Sequence, residues 1–158
     1  MSVTLRPYGK EDLDLAIDLE TDPRVMNHLG GPVPRDDAVR IHQERLAAGG
    51  LYRVIVDDDG TAAGIIAVWR SHFREAEVHE LGIMLFPDRR SRGVAEAAIE
   101  QIAAEAKEAG IDRLHAFVDA GNQASMAGAR KVGFTRGERH SVEHHGTKLD
   151  SVHWFRDL

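Results

Sequence analysis

The chain has 158 residues, 42% hydrophobic and 29% charged, with formal net charge −6, nine histidines and no cysteine. That length suits one domain over residues 1–158 with a core of its own. The missing cysteines exclude disulfides, iron–sulfur clusters and thiol catalysis, and the acidic balance argues against nucleic acid as a partner. No apolar run is long enough to span a bilayer and no basic-then-apolar signal opens the chain, so a cytoplasmic protein with no membrane partner is expected.

Val3 to Pro7 alternates as a strand should. From Lys10 to Glu20 the chain places Leu13, Ala16, Ile17 and Glu20 at helical spacing. Asp22-Pro23 breaks that helix, and a further turn is expected over 24–28. After the loop Gly30-Gly31-Pro32, a second helix is predicted from Pro34 to Ala48, with Ala38, Ile41, Arg45 and Leu46 on a helical period and Gly49-Gly50 as its stop. Strands are predicted over 51–56 and 61–70 about the Asp57–Gly60 turn, and again over 76–86. A long alanine-rich helix follows over 92–109, ended by Gly110. The remainder reads as a buried-type strand at 113–118, a short helix at 122–132, and a final hairpin of strands 134–142 and 148–155.

The most informative stretch is Glu80 to Ala97, ELGIMLFPDRRSRGVAEA. A strand stopped by Pro87 leads into a turn holding Arg89, Arg90 and Arg92, then Gly93, then a helix. The first N–H groups of a helix have no partner within it, and the macrodipole adds positive charge there. An acidic chain that gathers three arginines in such a turn is expected to meet a polyanion. A basic helix cap with no ligand is the alternative reading. Neither G-x-x-x-x-G-K-[ST] nor G-x-G-x-x-G occurs, so a P-loop or a dinucleotide fold is unsupported.

Arg90-Ser91-Arg92-Gly93-Val94-Ala95 resembles the [QR]-x-x-G-x-[GA] signature of the GCN5-related N-acetyltransferases (GNAT). Asn122-x-x-Ser125 with Lys131-Val132-Gly133-Phe134 resembles that family's second segment. Asp22-Pro23-Arg24-Val25-Met26-x-x-Leu29-Gly30 is similar to its ribosomal-protein N-terminal acetyltransferase branch. The resemblance spans Leu5 to Phe155. It implies an α/β (α+β) fold: a mixed, largely antiparallel sheet of six to seven strands flanked by about four helices, in the order β-α-α-β-β-β-α-β-α-β-β. It also implies acetyl-CoA as cosubstrate. The amides of Arg90, Ser91, Arg92, Gly93, Val94 and Ala95 would hold its pyrophosphate, and the backbone of Met84, Leu85 and Phe86 its pantetheine arm. Asn122 would cap the next helix and contact the acetyl end.

Transfer to an amine requires the amine to be neutral. Glu80 is the candidate general base, with pairing to a wall arginine as its alternative role. On strict alternation it shares a face with Gly82, Met84 and Phe86. Many family members place a tyrosine seven residues beyond the motif Asn; here that residue is Ala129. Ser125 is then the candidate aid to the leaving thiol, or else a hydrogen-bonding residue of the helix. The adjacent His144-His145 cannot share a face, and no H-x-x-x-H helix exists, so no metal is expected. The implied partner is an amine, either a protein N-terminus or a small molecule, with a homodimer possible through the last hairpin. The loops Gly30–Arg35, Phe73–Glu77 and Glu143–Thr147 are expected to frame its pocket. A non-catalytic acyl-CoA-binding module and a transferase using another donor such as succinyl-CoA are the competing functions.

Overall fold

The computed structural model describes residues 2–144 and 146–158, with backbone alone at positions 142 and 144. The strands are β1 (Thr4–Pro7), β2 (Gly50–Val56), β3 (Ala62–Phe73), β4 (Ala76–Leu85), β5 (Arg113–Asp119), β6 (Thr135–His144) and β7 (Thr147–Asp157). The helices are α1 (Leu13–Glu20), α2 (Pro23–Met26), α3 (Arg35–Ala47), α4 (Val94–Glu108) and α5 (Gln123–Lys131). Short 3-10 turns precede α1 and follow β4. The turn expected after Asp22 is a helical turn: the Asp22 carboxylate accepts from the Arg24 N–H, and Pro23 occupies the first helical position.

One seven-stranded sheet runs in the order β1-β2-β3-β4-β5-β7-β6. Every neighbouring pair is antiparallel except β4 with β5. That parallel pair meets at a single register position, Glu80 opposite His115. Beyond it β4 continues to Leu85 and β5 to Asp119 with no ladder between them, so the sheet opens there as a V.

The two faces of the sheet are covered differently. On one, Ile66, Val68, Leu81 and Leu85 pack with Val94, Ala98 and Ile102 of α4. Alanines at 98, 103 and 106, all buried, let that helix lie close to the strands. On the other, Ile65, Met84 and Phe86 pack with Leu19 of α1 and Val25 and Met26 of α2. Register puts Tyr52, Ala67 and Gly82 in one row across β2, β3 and β4, with Trp69 opposite Glu80 in the next. Glu80 shares its face with Gly82 and Met84, as strict alternation requires.

Candidate active site

The face that carries Glu80 encloses a cavity of about 860 Å³. Its floor is the middle of the sheet, including Ala67, Trp69, Glu80 and Gly82, and its roof comes from α1, α3 and the residues after α2. The Trp69 indole leans over Gly82, where a Cβ would stand 2.6 Å from the ring. Phe73, Arg74 and Glu143 also line the cavity, so two of the three loops expected around the pocket reach its wall; of the loop Gly30–Arg35 no residue does, and Leu29 just before it is the lining residue there.

Glu80 sits in that floor beside the opening of the V. Burial pushes its carboxyl above the ordinary range, with the Ser71 hydroxyl drawing it partly back. A carboxylate raised in this way is a better base at neutral pH than an exposed one. Ser125 is not among the lining residues. Its N–H donates to the Asn122 side chain at 3.1 Å, which makes Asn122 the cap of α5.

A second acid–base pair stands in the same cavity. His28, two residues past α2, bonds through Nδ1 to the Asp119 carboxylate at the end of β5. That contact fixes the ring, while Nε2 has no hydrogen-bond partner among the described residues. The sequence reading missed both groups: His28 is an unspecified position of the 22–30 segment, and Asp119 lies just past the strand predicted to end at Val118. Their pairing spans 91 positions of chain, which no local pattern carries.

The far wall is aromatic. Phe73, Phe117 and His140 surround His153, whose ring centroid lies 4.3 Å from that of Phe73 and 5.3 Å from that of Phe117. Burial, aided by His115 and His140, pushes His153 down to about 4. It is therefore neutral at physiological pH. His115 Nδ1 and His153 Nε2 lie 2.9 Å apart, one donating and one accepting. Of the adjacent pair His144-His145, residue 145 lies outside the described residues, as does the side chain of 144.

The arginine turn is put together differently from the sequence expectation. Arg89 and Arg92 both donate to Asp57, at 3.0 and 2.8 Å, and Arg89 also reaches Asp59 and Thr61. Asp57 is buried and accepts from the Asp58 N–H as well. Arg90 donates to the carbonyls of Arg24 and Leu85. The guanidinium groups thus brace the turn against the β2–β3 hairpin and α2. What stays open is backbone. Gly93 precedes α4 at φ 78 with no side-chain cap, and a Cβ there would meet nothing within 4 Å. Ser91 is also left-handed, at φ 63. The first-turn N–H groups of Val94, Ala95 and Glu96 have no partner within the helix, as at any helix N-terminus, and no side chain caps them. Val94 also anchors the turn, its side chain buried under the sheet.

Register also sorts the backbone of β4. The Phe86 N–H donates to Ala63, and the Met84 carbonyl lies against Gly64, where a Cβ would come within 1.9 Å of it. By the alternation of an antiparallel ladder, Met84 and Phe86 turn their polar backbone toward β3, whereas Ile83 and Leu85 turn theirs into the V. Of Met84, Leu85 and Phe86, Leu85 alone turns its backbone toward the V, and its carbonyl also takes Arg90. The Met84 and Phe86 side chains pack under α1 and α2 instead.

A family model described as an acetyltransferase (GNAT) domain matches residues 2–135. Solved structures superpose over nearly the whole chain. The spermidine N-acetyltransferase from Vibrio cholerae in complex with CoA and spermine gives a TM-score of 0.81 at 15% identity, covering 98% of this chain and 95% of that one. A GNAT superfamily phosphinothricin acetyltransferase from Sinorhizobium meliloti in complex with AcCoA gives 0.80 at 22%, covering 100% and 89%. The ribosomal-protein-alanine N-acetyltransferase from Brucella melitensis gives 0.77 at 22%, covering 98% and 99%. No curated protein matches the chain. At these identities the likeness establishes the fold, a mixed and mostly antiparallel seven-stranded sheet with its helices.

Proposed function

The chain belongs to the acetyltransferase (GNAT) family, and on that premise we propose that it transfers an acetyl group from acetyl-CoA to a primary amine held in the cavity. One observation carries this reading: the uncapped N-terminus of α4, the unpaired edge of β4 and the half-buried carboxyl of Glu80 follow one another along the opening of the V. Residues Ser91 to Ala95 would hold the pyrophosphate through backbone N–H groups at the positive end of α4. Arg89, Arg90 and Arg92 would keep that loop in shape rather than ligate it. Ile83 and Leu85 would take the pantetheine amides as an added strand does. Bound there, acetyl-CoA supplies the activated acetyl group, and every other demand falls on this chain.

The first demand is a neutral amine. For an amine with pKa near 10.4, deprotonation at pH 7.4 costs about 4 kcal/mol. Glu80 takes that proton directly or through water, and its raised carboxyl lowers the mismatch. The second demand is a proton for the departing thiol. With Ala129 in the place of a tyrosine, His28 is the better placed donor, oriented by Asp119 as a carboxylate orients an imidazole in other acid–base sites. Ser125 is the alternative donor. The amine is a protein N-terminus or a small molecule. The family's branch similar to ribosomal-protein acetyltransferases tilts the reading toward the former.

The test is thiol release by the purified protein with acetyl-CoA and a panel of free N-terminal peptides and polyamines. Saturable, amine-dependent release supports the proposal. Tight CoA binding with no release over the panel would make the chain a non-catalytic acyl-CoA-binding module and overturn it.

A further inference from the structure

The ladder between β4 and β5 is closed at Glu80 and His115, and this sets how deep the V runs. On the proposed reading, a donor whose amides pair with Leu85 and Ile83 would meet that closed end just beyond Gly82. Its thioester would then stand level with Gly82. From there an acyl group has one way out of the sheet. On the α4 face, Leu81 and Ala116 are buried in the core that α4 closes. The cavity face is open.

Two aromatic rings flank that exit. The Trp69 indole reaches diagonally from β3 over Gly82, where a Cβ would stand 2.6 and 2.9 Å from two of its ring carbons. Across the V stands Phe117, two residues past His115 as Gly82 is two past Glu80, and so on the same face. Both side chains line the cavity and both are half-buried, so each keeps surface that a ligand can touch. Phe117 is held from behind, its ring centroid 5.2 Å from those of Phe73 and His140 and 5.3 Å from that of His153. Such packing leaves it little freedom to swing away from the V.

We propose that Trp69 and Phe117 form an aromatic throat between the V and the cavity, which admits an acetyl group and rejects branched or charged acyl groups. This deepens the acetyltransferase reading and rests on it for the donor's path along β4. In the transfer a C–N bond forms at the thioester carbon, the C–S bond breaks, Glu80 takes the amine's proton and the thiol is protonated as it leaves. The amine comes to that carbon from the cavity, so acyl group and amine share the throat. A methyl group leaves room for the nitrogen beside it, and a branched chain fills that room. A succinyl carboxylate would lose hydration against two aromatic rings and stand near Glu80, a like charge.

Binding tests the throat apart from the reaction. Calorimetry compares acetyl-, isobutyryl- and succinyl-CoA on wild type and Trp69→Ala, with Trp69→Leu in reserve should the alanine variant fail to fold. Wild type is expected to bind acetyl-CoA at least 10-fold tighter than either of the others. In the variant the penalty on isobutyryl-CoA should fall below 3-fold, while succinyl-CoA stays disfavoured because Glu80 remains. Tryptophan emission gives a second readout. The chain has two tryptophans, and Trp154 is fully buried in the core on the α4 face. Acetyl-CoA should therefore change the emission of wild type and leave that of the Trp69 variant unmoved. Rates should follow binding, with kcat/KM for one amine favouring acetyl-CoA over isobutyryl-CoA by about 100-fold in wild type, the scale of discrimination by added methylenes. Equal affinity of wild type for the three donors, or a preference that Trp69→Ala keeps, overturns the throat and leaves the transferase reading intact. Donor selection that is lost in the variant, with no thiol release to any amine, sustains the throat and overturns the reaction. No binding of any CoA thioester overturns both.

Discussion

Glu80 pays for its position. Its carboxyl is raised by burial, so folding favours the protonated form relative to the unfolded chain. No penalty exists below the ordinary carboxylate range; it grows as pH rises through that range and is complete above the raised value. Glu80→Gln removes the charge and keeps the shape. It is expected to raise the melting temperature at pH 7 and leave it unchanged at pH 3.5, while lowering kcat by about 100-fold, the scale of general-base catalysis. Thermal melts at the two pH values and steady-state rates check this; a variant that melts lower at pH 7 with normal kcat would make Glu80 a wall residue. His28 is tested beside it. His28→Gln and Asp119→Asn should each lower kcat about 10-fold or more with the KM for acetyl-CoA unchanged, and added imidazole should partly restore a His28→Gly variant. A rise in KM with no rescue would make the pair a strut between α2 and β5 rather than a proton donor.

Individual elements show which parts of the fold and site could be read from sequence. The strand leading to Glu80 and the helix after Gly93 announce themselves, because alternation, Pro87 and the glycine turn are local signals. The alternation also sets Glu80 on the cavity face, and capping chemistry sets Asn122 at the head of α5. Two signals were present and undrawn: Glu20 and Arg45 fall on the helical period of apolar residues in α1 and α3, where a charged side chain has to find a partner inside. What sequence could not carry is long-range pairing. Arg89 and Arg92 lie 32 and 35 positions from Asp57, so a turn that looks like a free cluster of cations is a braced hairpin. Likewise the parity that turns Leu85 into the V, and Met84 and Phe86 away from it, is decided by the register with β3. The bracing has a consequence. Asp57 is held below the ordinary carboxylate range, first by the Asp58 N–H and then by Arg89, so its contribution to stability is present above that range and lost as pH falls through its lowered value. Asp57→Asn is expected to weaken acetyl-CoA binding about 10-fold and lower the melting temperature at pH 7, with that deficit shrinking as pH falls below the ordinary carboxylate range. Calorimetry and melts on the variant check both; unchanged CoA affinity would show that the turn holds its shape without the carboxylate.

For the whole molecule, the order of the strands makes the site. A sheet that is antiparallel throughout would stay closed, but the parallel pair β4 and β5 meets once and then parts. The gap opens onto the cavity on one face and leads along β4 to the head of α4 at its other end, so on the proposed reading donor and acceptor would approach Glu80 from different directions. The helices divide the labour: α4 seals the face that needs only packing, whereas α1, α2 and α3 roof the other without filling it. The central claim is that this opening receives acetyl-CoA, and titration calorimetry on wild type and Gly93→Val tests it most directly. At φ 78 the glycine position strains any β-branched residue, and its side chain would occupy the space left for the phosphates. Micromolar, salt-sensitive binding of acetyl-CoA and desulfo-CoA, absent for ATP and NAD and weakened at least 10-fold by the variant, is the result expected. No CoA binding by wild type, or equal affinity in Gly93→Val, would contradict the account.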